Sequence, residues 1–110
     1  MTGAASRRKG NRWEVDVCHV LEAYGWAAIT SRNARGGSQQ GVDIVTDFPL
    51  MVEAKNQKTI ELARWLDQAL EQAEPDPPVV MIKRRGHKPE HGYALMRIDQ
   101  LLELVRKVPL

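Results

Sequence analysis

The sequence predicts an α/β domain with a mixed central sheet flanked by helices, in the order α-β-β-β-α-β-β-α. Three observations carry this. Apolar residues recur at helical spacing in three separate segments. Short strand-like runs bounded by turn residues lie between them. The run Val79-Val80-Met81-Ile82 is continuous, as in a strand covered on both faces. A length of 110 residues fits one domain, and 43 % hydrophobic against 27 % charged residues is the composition of a folded globular chain.

Residues 1–10 are small, polar and basic without periodicity and read as a flexible N-terminal arm, leaving 11–110 as the folded domain. Trp13, Val17, Val20, Leu21 and Tyr24 then recur three and four apart, and Gly25 stands where a helix would stop, which predicts the first helix. Residues 26–31 read as a short strand. Residues 32–41, with Gly36, Gly37, Gly41 and no large apolar side chain, read as a mobile loop. Strand-like residues 42–46 and 50–54 flank Asp47-Phe48-Pro49, and this predicts an antiparallel hairpin. The second helix spans 60–73, with Leu62, Trp65, Leu66, Ala69, Leu70 and Ala73 in its stripe, and the proline-rich 74–78 ends it. After the buried strand come a basic loop (83–92), a last strand (93–97) and a last helix (98–107) with Leu101, Leu102 and Val105 facing inward.

The net charge of +2 says little, but its placement says more. Basic residues gather at Arg7, Arg8, Lys9 and Arg12, at Arg32 and Arg35, at Lys55 and Lys58, and at Lys83, Arg84, Arg85, His87 and Lys88, while acids concentrate between 61 and 76. Such segregation suits one phosphate-facing side and one solvent-facing side. His87 and His91 group with Arg84, Arg85 and Lys88 as phosphate contacts, because no zinc-ligand spacing joins them to His19. The single cysteine, Cys18, excludes an internal disulfide framework, and its place in an apolar helical stripe makes it a buried structural thiol. Trp13, Trp26 and Trp65 fall on apolar patterns and belong to the core. The absence of a phosphate-loop, dinucleotide or nucleophile-elbow motif argues against a nucleotide cofactor and against serine-hydrolase chemistry. No apolar run approaches the roughly 20 residues that cross a bilayer, and the N-terminal residues lack the pattern of a secretory signal. The expectation is a cytoplasmic protein without membrane contact.

The chemically informative group is Gly41-Val42-Asp43-Ile44-Val45 followed by Val52-Glu53-Ala54-Lys55. Side chains alternate along a strand, so Glu53 and Lys55 share one face while Val52 and Ala54 take the other. Adjacent strands would bring Asp43 beside Glu53. Two ionised carboxylates about 4 Å apart repel by roughly 4 kcal/mol at an effective dielectric near 20. A hard divalent cation offsets that repulsion, and Mg²⁺ characteristically takes one or two carboxylates together with substrate phosphate oxygens. Lys55 would orient or deprotonate the attacking water, or neutralise charge at phosphorus.

An acid on one strand and an acid-any-lysine triplet on the next resemble the PD-(D/E)XK nucleases, with Asp43 as the first acid and Glu53-Ala54-Lys55 as the triplet. Val42 stands where the motif has proline, at a position that ligates nothing. The segment Lys9-Gly10-Asn11-Arg12-Trp13-Glu14 opening a helix, Tyr24-Gly25-Trp26, and the serine- and glycine-containing loop before Asp43 resemble the archaeal and phage Holliday-junction resolvases of that superfamily, over roughly residues 8–58.

That resemblance implies a restriction-endonuclease-like fold and a Mg²⁺-dependent endodeoxyribonuclease acting on branched double-stranded DNA, with Mn²⁺ able to substitute. It implies a cation held by Asp43, Glu53, the Ala54 carbonyl and Glu14, and products ending in a 5′-phosphate and a 3′-hydroxyl. Glu14 also has a plain alternative as a first-turn acid at the positive helix end. Arg32 and Arg35 would meet phosphates, and Ser31 and Ser38 are both candidates for the functional loop serine. Gln57 and Lys58 follow the site as further backbone contacts, alongside Arg7, Arg8, Lys9 and Arg12. Cutting a junction on two strands needs two sites, so a homodimer is expected, with residues 108–110 and exposed parts of the second helix as candidate surfaces. A phage source would suit such a small nuclease. The rivals are a flap, fork or general DNA endonuclease of the same fold, and a catalytically silent nucleic-acid-binding module.

Overall fold

The computed structural model describes residues 3–34 and 43–109. Its elements are α1 (Gly3–Ala23), β1 (Ala28–Thr30), a 3₁₀ turn at Ser31–Asn33, β2 (Ile44–Thr46), β3 (Met51–Lys55), α2 (Leu62–Gln72), β4 (Pro78–Ile82), a second 3₁₀ turn at Pro89–His91, β5 (Tyr93–Leu95) and α3 (Ile98–Arg106). The order of helices and strands is the one expected. The chain forms an α/β domain whose mixed sheet lies between helices.

Residues 3–10, expected as a flexible arm, are the opening turns of α1. Ala5, Arg7, Arg8 and Lys9 are good helix formers, and once residues 13–21 are anchored in the core each further residue adds a hydrogen bond at little cost. The Asn56 side-chain amide donates to the Lys9 carbonyl at 3.4 Å and ties this end of the helix to the end of β3. At the other end Gly25 (φ 97°) closes α1. The Trp26 N–H reaches back to the Leu21 carbonyl and the Gly25 N–H to the Glu22 carbonyl, each at 3.0 Å, the paired bonds of a Schellman cap.

The expected hairpin of 42–46 with 50–54 does not form. β2 pairs antiparallel with β1 (Thr30↔Ile44, Ala28↔Thr46), whereas β3 pairs parallel with β4 (Glu53↔Val80, Lys55↔Ile82), and β5 adds antiparallel to β4. The intervening turn is bonded to Ala27, the residue just before β1. Asp47 Oδ1 accepts from the Ala27 N–H at 2.8 Å, and the Thr46 hydroxyl donates to the Ala27 carbonyl while accepting from the Phe48 N–H. Pro49 has no N–H to contribute to a ladder. β3, α2 and β4 instead make a parallel strand-helix-strand unit, which only a helical crossover allows.

Strand alternation divides the core in two. Val52 and Val79, with half-buried Ala54 and Met81, pack under α1 against Trp13, Val17, Cys18 and Leu21. Val80 and Ile82, with half-buried Met51, pack under α2 against Trp65 and Ala69. β4 is thus the strand covered on both faces. Trp13 and Trp65 are core residues as expected, and Trp26 is half-buried with its ring edge-on to Phe48. The Trp13 indole donates to the Met81 carbonyl at 3.0 Å. Beside it a Cβ on Gly92 would lie 2.6 Å from the Ile82 carbonyl, so only glycine lets the chain enter β5 here.

The last helix departs from expectation. Leu101, Leu102 and Val105, expected inward, are 43 %, 62 % and 50 % exposed, and of the α3 apolar residues only Leu104 packs partly on the core. α1 and α2 already cover the two faces of the sheet, so no sheet surface is left for a third apolar stripe. Among the described residues no helix is long and apolar enough to cross a membrane.

Candidate functional site

The C-terminal end of β3 opens into a cavity of about 570 Å³ bounded by the first turns of α1 and by residues 55–59. Strand alternation puts Glu53 and Lys55 on the α2 face, in line with Met51, as the sequence predicts. Asp43 comes from the residue just before β2. Although β2 and β3 share no ladder, Asp43 Oδ2 accepts a hydrogen bond from the Ala54 N–H at 2.9 Å. One carboxylate therefore joins the two sheets. The N–H and C=O of a strand residue point to the same edge, so the Ala54 carbonyl lies on the Asp43 side.

Ser31 fixes the other end of Asp43. Its backbone N–H and its hydroxyl both donate to the Asp43 carbonyl, at 2.9 and 3.2 Å. Ser31 thus positions an acid of the site, whereas Ser38 and Arg35 lie outside the described residues.

Glu53 is buried, 8 % exposed, and close enough to Asp43 for the two carboxyls to share a hydrogen bond. Burial, then the neighbouring Asp43 charge and that hydrogen bond, push the Glu53 carboxyl up to about 8; Lys55 opposes this and Glu14 adds to it. Glu14 reaches the same cavity from α1. Burial and the Asp43 charge raise its pKa, against the opposing pull of Arg32. Arg32 Nη2 lies 3.5 Å from Glu14 Oε1 and 3.4 Å from the Asn11 carbonyl, so this guanidinium sits against the acid and the start of α1.

These donors suit a hard divalent cation. A buried carboxyl driven up by a second carboxylate is the electrostatic situation that a bound dication relieves. Among the described residues no group of three or more acids, histidines or cysteines forms a ready cage. Mg²⁺ needs fewer, because it keeps several waters and takes one or two carboxylates. Asp43 and Glu53 with the Ala54 carbonyl would hold it, with Glu14 at the rim.

Arg7, Lys9, Lys55 and Lys58 also line the cavity, together with Gln57. Arg8 and Arg12 are exposed on α1 and do not line it. Arg84, Arg85 and Lys88 are also outside the lining. They follow β4, whose end is held to β3 by the Lys83 N–H on the Lys55 carbonyl at 2.9 Å, and the Arg84 guanidinium lies over the Tyr93 ring, 5.8 Å from its centroid.

Two residues at the site escaped sequence reasoning. Trp65 carries Lys55 Nζ over its ring at 5.9 Å while being only 1 % exposed, so a core residue also places the amine. Asn56 is buried beside Lys55 and bonded to α1. A polar residue directly after a strand was its only sequence signal. Cys18 is buried, and burial together with Glu22 and Glu14 pushes its thiol up to about 11, as a structural thiol requires. No protein-family model, no curated protein and no solved structure matches this chain.

Proposed function

We propose that this protein is a Mg²⁺-dependent endodeoxyribonuclease with a restriction-endonuclease-like fold, acting on branched DNA such as a four-way junction. The observation that carries the reading is the buried Glu53 carboxyl held against Asp43 in a cavity that Arg7, Lys9, Lys55 and Lys58 also line. A chain that only bound nucleic acid would gain nothing from two acids facing a phosphate path.

Asp43 and Glu53, joined by the Ala54 carbonyl and Glu14, would hold the cation. Bound Mg²⁺, for which Mn²⁺ can substitute, supplies Lewis-acid stabilisation at phosphorus and makes water a competent nucleophile at neutral pH. Lys55, steadied over Trp65, donates to the attacking water or to a non-bridging phosphate oxygen. Arg7, Lys9 and Lys58 bind the flanking phosphates and set the register of the strand. In-line attack by the water, which gives up its proton to solvent, would break the bond from phosphorus to the 3′-oxygen, which takes up a proton as the 3′-hydroxyl, and leave a 5′-phosphate. Paired cuts across a two-fold junction call for two protomers, hence a homodimer.

The test is cleavage of a four-way junction, a 5′ flap, a splayed fork and linear duplex side by side with Mg²⁺, with Asp43→Asn as the contamination control. Paired nicks on the junction that vanish in Asp43→Asn are the expected result. Cleavage of flaps or forks alone would keep the site and replace the substrate. No Asp43-dependent cleavage in Mg²⁺ or Mn²⁺ would refute the enzyme and favour a silent binding module.

A further inference from the structure

We infer that the turn after β4 is a second seat for the DNA backbone, outside the cleavage cavity, in which Tyr93 holds the Arg84 guanidinium ready for a phosphate. The inference rests on DNA being the substrate and extends the surface that grips it.

The sheet places this turn. β3 and β4 run parallel, so both end on the side of the cavity, and the Lys83 N–H on the Lys55 carbonyl carries their pairing one residue further. The register aligns Lys55 with Ile82 and Ile82 with Tyr93. Partners across a ladder share a face, and Leu95, two residues beyond Tyr93, packs on the α2 cluster that contains Ile82. Lys55, Ile82 and Tyr93 therefore form one row on the α2 face. The Tyr93 backbone lies two strand spacings, about 10 Å, from that of Lys55, the length of roughly three base steps of a duplex. Arg84 crowns the far end of the row, 5.8 Å from the centroid of the Tyr93 ring.

The charge of the turn has no counterpart in the chain. Lys83, Arg84, Arg85, His87 and Lys88 follow one another with no acid among residues 83–89. Residues 84–88 are exposed, and Gly86 at φ 80° with the His87 N–H on the Arg84 carbonyl folds them into a tight turn. Arg64, Arg97 and Arg106, exposed and outside the cavity lining, each pair with an acid within three residues. Among the described residues no ion pair engages Lys83, Arg84, Arg85 or Lys88. Cations crowded without counter-charge at the carboxyl ends of parallel strands suit a polyanion. Arg84 has a ring where the other arginines have an acid. Stacking on the half-exposed Tyr93 leaves the N–H edges of the guanidinium free to fork a phosphate and reduces the freedom lost in doing so. Arg84 is thus the anchor of the seat and Tyr93 its positioning residue.

The test is fluorescence anisotropy of a labelled four-way junction and of linear duplex with the full chain in chelator, over about 50 to 300 mM NaCl. Arg84→Ala should lower the salt slope by roughly 0.9 and the affinity about eightfold near 0.1 M salt. Tyr93→Ala should weaken binding about threefold in the parent and have no further effect on Arg84→Ala, while Tyr93→Phe should bind as the parent does. Expected losses without Asp43-dependent cleavage would uphold the seat and refute only the enzyme. An Arg84→Ala variant with parental affinity and slope, beside an Arg7→Ala variant that loses both, would overturn the seat and leave the cavity reading intact. Equal losses from Tyr93→Ala in both backgrounds would overturn the positioning role. A parent that binds neither DNA would overturn this inference and the nuclease reading together.

Discussion

Asp43 Oδ2 accepts the Ala54 N–H at 2.9 Å, and through this bond a side chain does what a ladder would otherwise do between β2 and β3. The same carboxylate presses on Glu53, so one residue both joins the two sheets and adds to the load that burial already places on that acid. Asp43 is therefore structural and, on the proposed reading, functional as well, and the two roles separate by substitution.

Asp43→Asn keeps an oxygen able to accept from Ala54 and removes the charge. It should fold with near-native stability, bind junction DNA at least as tightly as the parent, and lose cleavage. Asp43→Ala removes the acceptor as well and leaves the half-buried Ala54 N–H without its partner, at a cost of about 1 kcal/mol. Urea denaturation of both variants, read beside their activity, separates the roles. Equal stability of the two would mean that the Ala54 bond contributes nothing.

Stability in chelator should fall as pH rises. The folded-state pKa of Glu53 is pushed up to about 8 from 4.5, so across that interval the folded protein keeps a proton that the unfolded chain has released. The contribution is complete below the unfolded value and is lost as pH passes the folded one. The loss is on the order of a few kcal/mol, at about 1.4 kcal/mol per pH unit. Glu14, also raised, works in the same direction. Glu53→Gln should flatten the profile, and on the proposed reading Mg²⁺ should restore stability at the alkaline end. Melting temperatures from pH 5 to pH 8, with and without Mg²⁺, check both points. A metal-free protein that gains stability across this range would contradict the burial of Glu53 against Asp43.

Lys55→Ala should lower the cleavage rate by two orders of magnitude or more with little change in junction affinity, since the amine is read as acting on the reacting centre. Trp65→Phe keeps a ring under the amine and deletes an indole N–H that is buried without a partner. Its cost in stability should accordingly stay near the low end of large-to-small core changes, about 1–2 kcal/mol. Trp65→Leu removes the ring and should slow cleavage further than Trp65→Phe does. Identical rates in the two variants would remove the cation–π contact from the account.

Arg7 and Lys9 line the cavity, whereas Arg8 and Arg12 face solvent beside it. On the proposed reading, Arg7→Ala and Lys9→Ala should each lower the salt slope of DNA binding by roughly 0.9, the loss of one phosphate contact. Arg8→Ala should change it less. A larger loss for Arg8 would place the DNA path on the outer side of α1. Deleting residues 1–9 removes the opening turns of α1 and should cost stability as well as affinity, so the point substitutions are the cleaner measurement.

What the sequence determined by itself was local and periodic. The 3.6-residue recurrence of Trp13, Val17 and Leu21 and of Trp65 and Ala69 placed two helices and their buried faces. Gly25 marked the end of α1, and strand alternation put Glu53 and Lys55 on one side of β3. Asp43 was expected beside them through a hairpin that does not form, and it reaches Glu53 instead by accepting the Ala54 N–H across two sheets that share no ladder. Pairing was not legible. Short strands of three residues carry too little pattern to choose a neighbour, and the hydrogen bonds of Asp47 and Thr46 to Ala27 decided that β2 turns back to β1. Only the tertiary structure revealed that Ser31 holds Asp43, that Lys55 rests on Trp65, and that α3 turns its leucines outward. An amphipathic stripe states that a helix has an apolar face, but the space left by its neighbours decides what that face meets.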